Sequence, residues 1–436
     1  MLSCLSTGRE RRDGGDGKDD HIGFSDFREQ GGNMNVSSRR EFIGAAALGS
    51  AGLAAAAAMP PGAAAPADSS KKIRIGIVGG GFGASFQWHL HPNCEVAAVT
   101  DLRADRRKRL RDTYRCDTFF DSLEQMLERA PGLDAVAVFT GATDHYRHVE
   151  MCMNRGLHVI SAVPACFSLE EAGKLKELKE RTGLRYMMAE TSYYRQACIF
   201  ARNLYRAGGF GEVFYSEVEY YHDRGDLRKL VTNKATRFFH PDGSRTWRWG
   251  LAPLHYPTHS LGFVVGVTGE RIRSVSALGW GSSHPWIDEN VYGNPHWNQS
   301  ALMQTDKGHM VRCNVFWLTA DEGERAQWFG DKGSLYMAKD GLHPDKQRRR
   351  MHEAEELKVP SYWDSGMLPE PMRVSSGHGG SHAFLTAEFI NALVEDREPV
   401  IDVYESLAMN VPGIVGHQSA LNDGEQMKVP VFDKPA

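Results

Sequence analysis

The chain has 436 residues, 41% of them apolar, enough for two domains with cores of their own. Its net charge is −4 and its Lys and Arg residues are dispersed. Both basic runs, 106–111 and 348–350, are flanked by acids, so they are read as solvated faces and nucleic-acid binding is excluded.

Residues 1–33 are charged and Gly-rich without apolar periodicity, and are read as a disordered tail or a mis-assigned start, with Met34 as the true one. Residues 34–67 hold Ser38-Arg39-Arg40-Glu41-Phe42-Ile43-Gly44, then an Ala/Gly-rich run to Met59 and small-residue cleavage sites ending at Ala65 and Ala67. This pattern predicts a twin-arginine signal, export of the folded chain to the periplasm by that machinery, and a cofactor loaded beforehand. The dominance of Ala and Gly argues against a membrane anchor. Six cysteines follow (Cys94, Cys116, Cys152, Cys166, Cys198 and Cys313) with no C-x-x-C pair. Folding in a reducing cytoplasm predicts that they are buried free thiols.

Residues 72–101 organise the rest. An apolar strand over 73–78 breaks into Gly79-Gly80-Gly81-Phe82-Gly83-Ala84, a helix is expected next, and a second strand over 96–100 ends on Asp101. This is the G-x-G-x-x-A dinucleotide fingerprint. Gly79 makes the turn, Gly81 admits a pyrophosphate, and Ala84 lets the helix pack close; Phe82 and Gly83 complete the loop. The helix N-terminus is expected to face the phosphates. Asp101 suits a ribose 2′-OH, which favours NAD, while Arg103 keeps NADP open.

Helix and strand patterns then alternate. Helices are expected over 104–114, 123–129 and 145–154, and strands over 118–120, 135–140 and 158–162. Ser168-Leu169-Glu170-Glu171 is a capping box opening a helix that Gly183 closes, and 185–189 is the next strand. The reading is a doubly wound α/β Rossmann domain over 71–195, with ligands at the strand carboxyl ends near Gly79–Ala84, Thr140–Thr143, Ala162–Pro164 and Glu190. Residues 196–436 form an α+β domain: strands over 212–221, 271–279, 301–318 and 325–337 in an open antiparallel sheet, then helices over 381–394 and 404–419. The last helix is expected to pack back on the first domain.

IGIVGGGFGAS, TGATDHYRH (140–148) and Gly156-Leu157-His158-Val159 together resemble the Gfo/Idh/MocA family (glucose–fructose oxidoreductase and inositol dehydrogenase). The resemblance covers nearly all of 71–436. It implies an NAD(P)-binding Rossmann domain and an open-sheet domain that holds sugar-like substrates, and it places Thr140, Thr143, His145 and Pro164 among the cofactor contacts. Where the family has Glu-Lys-Pro, this chain has Ala162-Val163-Pro164, and a valine cannot move a proton. In Leu254-His255-Tyr256-Pro257-Thr258-His259-Ser260, His259 matches the family's catalytic His and His255 stands where its Asp would be.

Tyr-Pro-Thr-His is also similar to the NAD-dependent α-N-acetylgalactosaminidases, the family 109 glycosidase branch. So are Tyr220-Tyr221-His222-Asp223, Trp247-Arg248 and Gly377-His378-Gly379-Gly380. In that branch a bound NAD⁺ serves a redox-neutral cycle of oxidation, elimination, hydration and reduction, outside the two-carboxylate scheme. Carried over, Tyr256, His259 and His222 become acid/base groups, with His255 beside them. Glu190, Tyr194, Tyr221, Trp247, Arg248 and His378 become substrate contacts. Ala162 lacks the acid that the branch would supply there.

His255 and His259 would share a helix face, and His222 or Glu190 would complete a metal site. Pro257, suited to a first turn, leaves His255 outside the helix, and no metal is assigned. Trp247, Trp249, Trp280 and Trp286 serve either as sugar platforms or as packing, and His378 and His382 either reach the site or cap the last helices. The expectation is an exported NAD(P)-dependent carbohydrate or polyol oxidoreductase whose bound cofactor is recycled internally, with a homo-oligomer suggested by the open sheet face. The alternatives are a redox-neutral glycosidase or lyase and a non-catalytic sugar-binding relative.

Overall fold

Short apolar runs build the first sheet, and its central strands are buried on both faces, as parallel strands require. The computed structural model describes residues 70–222, 232–281, 289–339 and 342–435. The expected export signal, Asp223 and Trp286 lie outside the described residues. Strands β1 (Ile73–Val78), β2 (Cys94–Thr100), β3 (Phe119–Phe120), β4 (Ala135–Val138), β5 (His158–Ser161) and β6 (Tyr186–Met188) are parallel, in the order β3-β2-β1-β4-β5-β6. Four helices accompany them: α1 (Ala104–Tyr114), α2 (Leu123–Arg129), α3 (His145–Met153) and α4 (Leu169–Thr182). Ser168 caps α4 by accepting from the Glu171 N–H, and Gly183 ends it in the left-handed region at φ 66°. The strand order reverses between β1 and β4, so a crevice opens beyond their carboxyl ends.

One expected element is missing. No α-helix follows the glycine loop, and the chain between β1 and β2 holds only the 3₁₀ turns Gly83–Ser85 and Trp88–Leu90. Aromatic side chains of this segment go into the core instead: Phe86 and Trp88 are buried, with Phe86 stacked on Phe139 at 4.5 Å and on His382 at 4.3 Å. The Tyr114 hydroxyl lies within hydrogen-bond distance of the Gly83 and Phe86 carbonyls, which a continuing helix would have used itself. Pro92, just before β2, cannot serve a helix interior.

Among the described residues the remaining helices and strands are α5 (Gln196–Arg206), β7 (Val213–Tyr221), α6 (Thr258–Thr268), β8 (Ile272–Trp280), β9 (Asn298–Thr305), β10 (Met310–Phe316), β11 (Gly323–Gly330), β12 (Gly333–Tyr336), β13 (Lys346–Arg349), β14 (Ala354–Glu356), α7 (Ser381–Val394), α8 (Val403–Leu421) and β15 (Met427–Lys428). The nine-stranded second sheet runs β14-β13-β12-β11-β7-β10-β9-β8-β15. It is mixed rather than purely antiparallel, because β7 and β10 pair in parallel. α5, β13 and β14 are not anticipated from sequence.

Helix α6 lies on one face of this sheet, where Trp328 donates its indole N–H to the Phe263 carbonyl at 3.0 Å. Helix α8 joins the two halves: it packs on β8 and also on α4 and β6, and Asn410 Oδ1 accepts from the Cys166 N–H at 2.9 Å. The six cysteines from Cys94 to Cys313 are each buried and unpaired with one another.

Candidate active site

Pro257 sets the entry to α6, since a residue without an N–H loses nothing at a helix start. Every residue of α6 is buried, because the helix is held between the second sheet and residues 190–194 beyond β6. Gly262 permits that contact: a Cβ there would stand 2.2 Å from Ser192 Oγ and 3.1 Å from Glu190 Cγ. The close approach delivers a carboxylate to His259. Its Nδ1 lies 2.8 Å from Glu190 Oε1, 3.3 Å from Thr191 Oγ1 and 3.8 Å from Glu324 Oε1. An ionised carboxylate only accepts, so Nδ1 donates to Glu190 and Nε2 remains to take or give a proton.

Burial opposes charge on His259, but the Glu190 carboxylate and its hydrogen bond, with Glu324 behind them, outweigh it and hold the imidazole pKa above its ordinary value. For the wholly buried Glu190, desolvation alone would raise the pKa. His259 reverses this and lowers it. Gly262→Ala should destabilise the fold by about 1–3 kcal/mol, the usual cost of overpacking, and chemical denaturation will measure it.

Two further members of the cluster are not anticipated from sequence. Glu324 enters from β11, and Arg195 Nε donates to its Oε2 at 2.9 Å. The loop at residues 378–380 runs over this guanidinium, since a Cβ on Gly379 would meet Arg195 Nη1 at 2.4 Å. Glu324 is opposite Tyr220 in the β7–β11 register, so the two share a sheet face. The Tyr220 ring stands 4.7 Å from that of His259.

Tyr221, the expected contact, lies on the other face, stacked on Phe316 at 4.8 Å and accepting from Asn314 Nδ2. Strand alternation decides this: Tyr220 shares the parity of buried Val218. That parity was readable in the sequence.

Tyr256 joins the cluster, its ring 5.4 Å from His259 and 6.2 Å from Tyr220. Trp247 stacks against Tyr256 at 6.4 Å and carries the Arg248 guanidinium 4.1 Å above its own ring. A Cβ on Gly141 would stand 3.2 Å from Trp247 Cδ1, so Trp247 connects the crevice beyond β4 to the His259 cluster.

Other expected residues are not gathered there. His255 closes a 3₁₀ turn before Pro257, its ring 4.6 Å from His417 and 5.9 Å from Phe167, and burial lowers its pKa to about 3. The catalytic role expected of it does not fit this apolar setting. Tyr194 stacks on Phe384 at 5.5 Å in the core and does not line the site. His222 ends β7 at the rim, its Nδ1 2.9 Å from Glu322 Oε1.

His378 is left-handed at φ 51°, its ring 5.5 Å from Phe82; burial and the nearby His259 lower its pKa. His382 belongs to the core, donating from Nδ1 to the Ser85 carbonyl at 3.1 Å. Trp249 packs with Phe238 and Phe239, and Trp280 is exposed on the sheet. Among the described residues, no three His, Cys, Asp or Glu side chains gather as a metal site.

In the crevice, Gly79 has φ 100°, and a Cβ there would stand 2.1 Å from the Phe139 carbonyl oxygen. Asp101 accepts from the Gly80 N–H at 2.7 Å and from the Arg103 N–H at 2.8 Å, one on each oxygen. Each oxygen keeps a lone pair for a ribose hydroxyl. The nearest atoms to a Cβ on Gly81 would be those of the Arg106 guanidinium, at 3.7 Å, so no backbone crowds this glycine at closer range. These features fit a dinucleotide.

The Arg103 side chain is tied to Asp105 at 3.0 and 2.8 Å, which leaves no guanidinium from this residue for a 2′-phosphate and favours NAD. His145 donates from Nδ1 to the Pro164 carbonyl at 2.8 Å, and Thr140 Oγ1 lies 2.8 Å from His148 Nδ1; Thr143 is exposed beside them. Ala84 is buried, Phe82 half-buried, and Ala162 and Val163 are buried without polar function. Asp101→Ala should weaken NAD binding by about 10–100-fold in calorimetry, the loss expected for charge-assisted hydrogen bonds.

Residues 73–190 match the family model of the oxidoreductase family, NAD-binding Rossmann fold, and residues 322–436 match that of the glycosyl hydrolase 109 C-terminal domain. In its nucleotide-binding half the chain is similar to Gfo/Idh/MocA-type proteins. It is 25% identical to a glycosyl hydrolase family 109 protein of Streptomyces filamentosus, over 87% of this chain and 82% of that one. It is also 25% identical to a family 109 protein of Solibacter usitatus, over 92% and 98%. In fold it is similar to scyllo-inositol dehydrogenase of Lactobacillus casei, solved with NAD(H) and scyllo-inositol (18% identity, TM-score 0.60, 82% and 99% covered). The WlbA dehydrogenase of Bordetella pertussis, solved with NADH and UDP-GlcNAcA, is likewise similar (19% identity, TM-score 0.62, 84% and 100% covered).

Proposed function

We propose that this protein holds NAD in the β1–β4 crevice and acts on a secondary hydroxyl of a carbohydrate or polyol, with His259 as acid/base. The observation that carries the reading is the buried His259–Glu190 pair at 2.8 Å, beside a cluster that Trp247 links to the nucleotide crevice. A bound nicotinamide supplies a two-electron acceptor and donor. His259 Nε2 takes the hydroxyl proton, and Glu190 stabilises the resulting imidazolium through Nδ1. Arg195 holds Glu324 beside the pair. Trp247 offers a flat apolar face to a sugar ring, and Tyr220 and Tyr256 wall the cluster against water. His222 and His378 stand at its rim, within reach of a larger substrate.

A second reading, the redox-neutral glycosidase, is favoured by the family 109 match over 322–436, which contains both Glu324 and His378. There the same Nε2 proton shuttles more than once. With Ala162 in place of an acid, His259 and Tyr256 must carry the acid/base steps. The proposal includes export by the twin-arginine route, read from Ser38–Gly44. No free nicotinamide pool is expected outside the cytoplasm, so the cofactor stays bound and is recycled.

The test uses mature protein from the periplasmic fraction. Released nucleotide is quantified after denaturation, and the native protein is incubated with aryl glycosides and free sugars. Stoichiometric NAD with an absorbance change on adding a free sugar supports the oxidoreductase. Aglycone release without net redox change supports the glycosidase. Protein that holds no nucleotide and binds none when supplied overturns both.

A further inference from the structure

The glycine loop lacks the usual source of positive potential for a pyrophosphate, because no helix starts there. Its amides are also partly spent. Gly79 donates to the Thr100 carbonyl, Gly80 to Asp101, Gly83 to the Gly79 carbonyl and Ser85 to the Phe82 carbonyl. The N–H groups of Gly81, Phe82 and Ala84 remain. Neutral amides alone do not balance a dianion.

The compensating charge stands on α1. A Cβ on Gly80 would lie 2.3 Å from the Arg106 carbonyl oxygen, so the glycine lets the first turn of α1 rest directly on the loop. That contact places the Arg106 guanidinium over Gly81. Its basic neighbours are paired: Arg103 with Asp105, Arg107 with Asp121, Lys108 with Asp112. Among the described residues, the Arg106 guanidinium has no ion pair and no hydrogen bond.

A second cation lies within electrostatic range of it. The side chain of Arg248, from the other half of the chain, likewise has no carboxylate partner among the described residues. Burial first, then Arg237 and Arg106, hold its pKa below the ordinary value, with Tyr256 and Tyr220 opposing. Unpaired guanidinium groups that repel one another beside a free-amide loop describe a site completed by an anion.

We propose that Arg106 binds the pyrophosphate of the dinucleotide, supplying the positive charge that a helix N-terminus supplies elsewhere. The proposal rests on the NAD-binding reading above. It also removes Arg106 from the basic run that the sequence presents as a solvated face.

The test is calorimetric, on cofactor-stripped full-length protein, with ADP-ribose, NAD and adenosine as probes. Arg106→Ala should weaken ADP-ribose and NAD by about 10–100-fold while adenosine binding and the ligand-free melting temperature stay unchanged. Arg106→Lys should recover part of the loss, and the salt dependence of ADP-ribose binding should flatten in Arg106→Ala. Arg109→Ala, on the same helix, should bind as the wild type does. Equal ADP-ribose affinity in wild type and Arg106→Ala overturns the proposal, as does an equal loss of adenosine. Wild-type protein that binds neither NAD nor ADP-ribose overturns the cofactor reading together with this one.

Discussion

His259→Ala should lower turnover by about 10²–10⁴-fold, the range for loss of a general acid/base, while the purified protein keeps its full complement of NAD. Its side-chain hydrogen bonds go to Glu190 and Thr191 and not to the Gly79–Gly83 loop, so cofactor content and chemistry should separate. The variant should also lose stability, because Glu190 is wholly buried and Glu324 nearly so. Removing His259 leaves the buried Glu190 charge uncompensated, typically a cost of about 3–5 kcal/mol, while Glu324 keeps Arg195. The double variant His259→Ala/Glu190→Gln should regain much of that stability in chemical denaturation without regaining turnover. Unchanged turnover in His259→Ala would remove the acid/base assignment.

Glu190→Gln should cost on the order of 10²-fold in turnover and move the rising limb of the pH–rate profile toward acid. With Glu190 present, the folded pKa of His259 lies above its ordinary value, so the basic imidazole forms only as pH rises past that raised value. Without the carboxylate, burial is the larger influence and the pKa falls.

Stability follows the same pair. The raised His259 pKa contributes stability that is fully present below the unfolded-state value and is lost as pH rises through the folded value. The lowered Glu190 pKa contributes stability that is present above the unfolded carboxyl value and is lost as pH falls through the folded one. Both dependences should be absent in Glu190→Gln when denaturation is followed across pH. A rising limb that stays in place would show that another group titrates.

Much of the site was legible because its signals are local. Glycines before an acid at a strand tip define a nucleotide crevice from spacing alone, and Pro257 announces the helix that presents His259. What failed was also local in form but tertiary in cause. The sequence after Gly83 has no helix breaker until Pro92, yet Phe86 and Trp88 gain more by entering the core against Phe139 and Phe389 than by extending a helix. His255 matched a family position, and the fold buries its ring against His417.

The sequence by itself determined the two-sheet architecture, the nucleotide loop with Asp101, and His259 at the start of its helix, because strand and helix periodicity and turn chemistry are encoded within a few residues. Only the tertiary structure decided the partners of that histidine. Glu190, Tyr220 and Glu324 come from three strands or strand ends, up to 134 positions apart in the chain. Sheet register and the close approach allowed by Gly262 bring them together, and neither can be read from one segment alone.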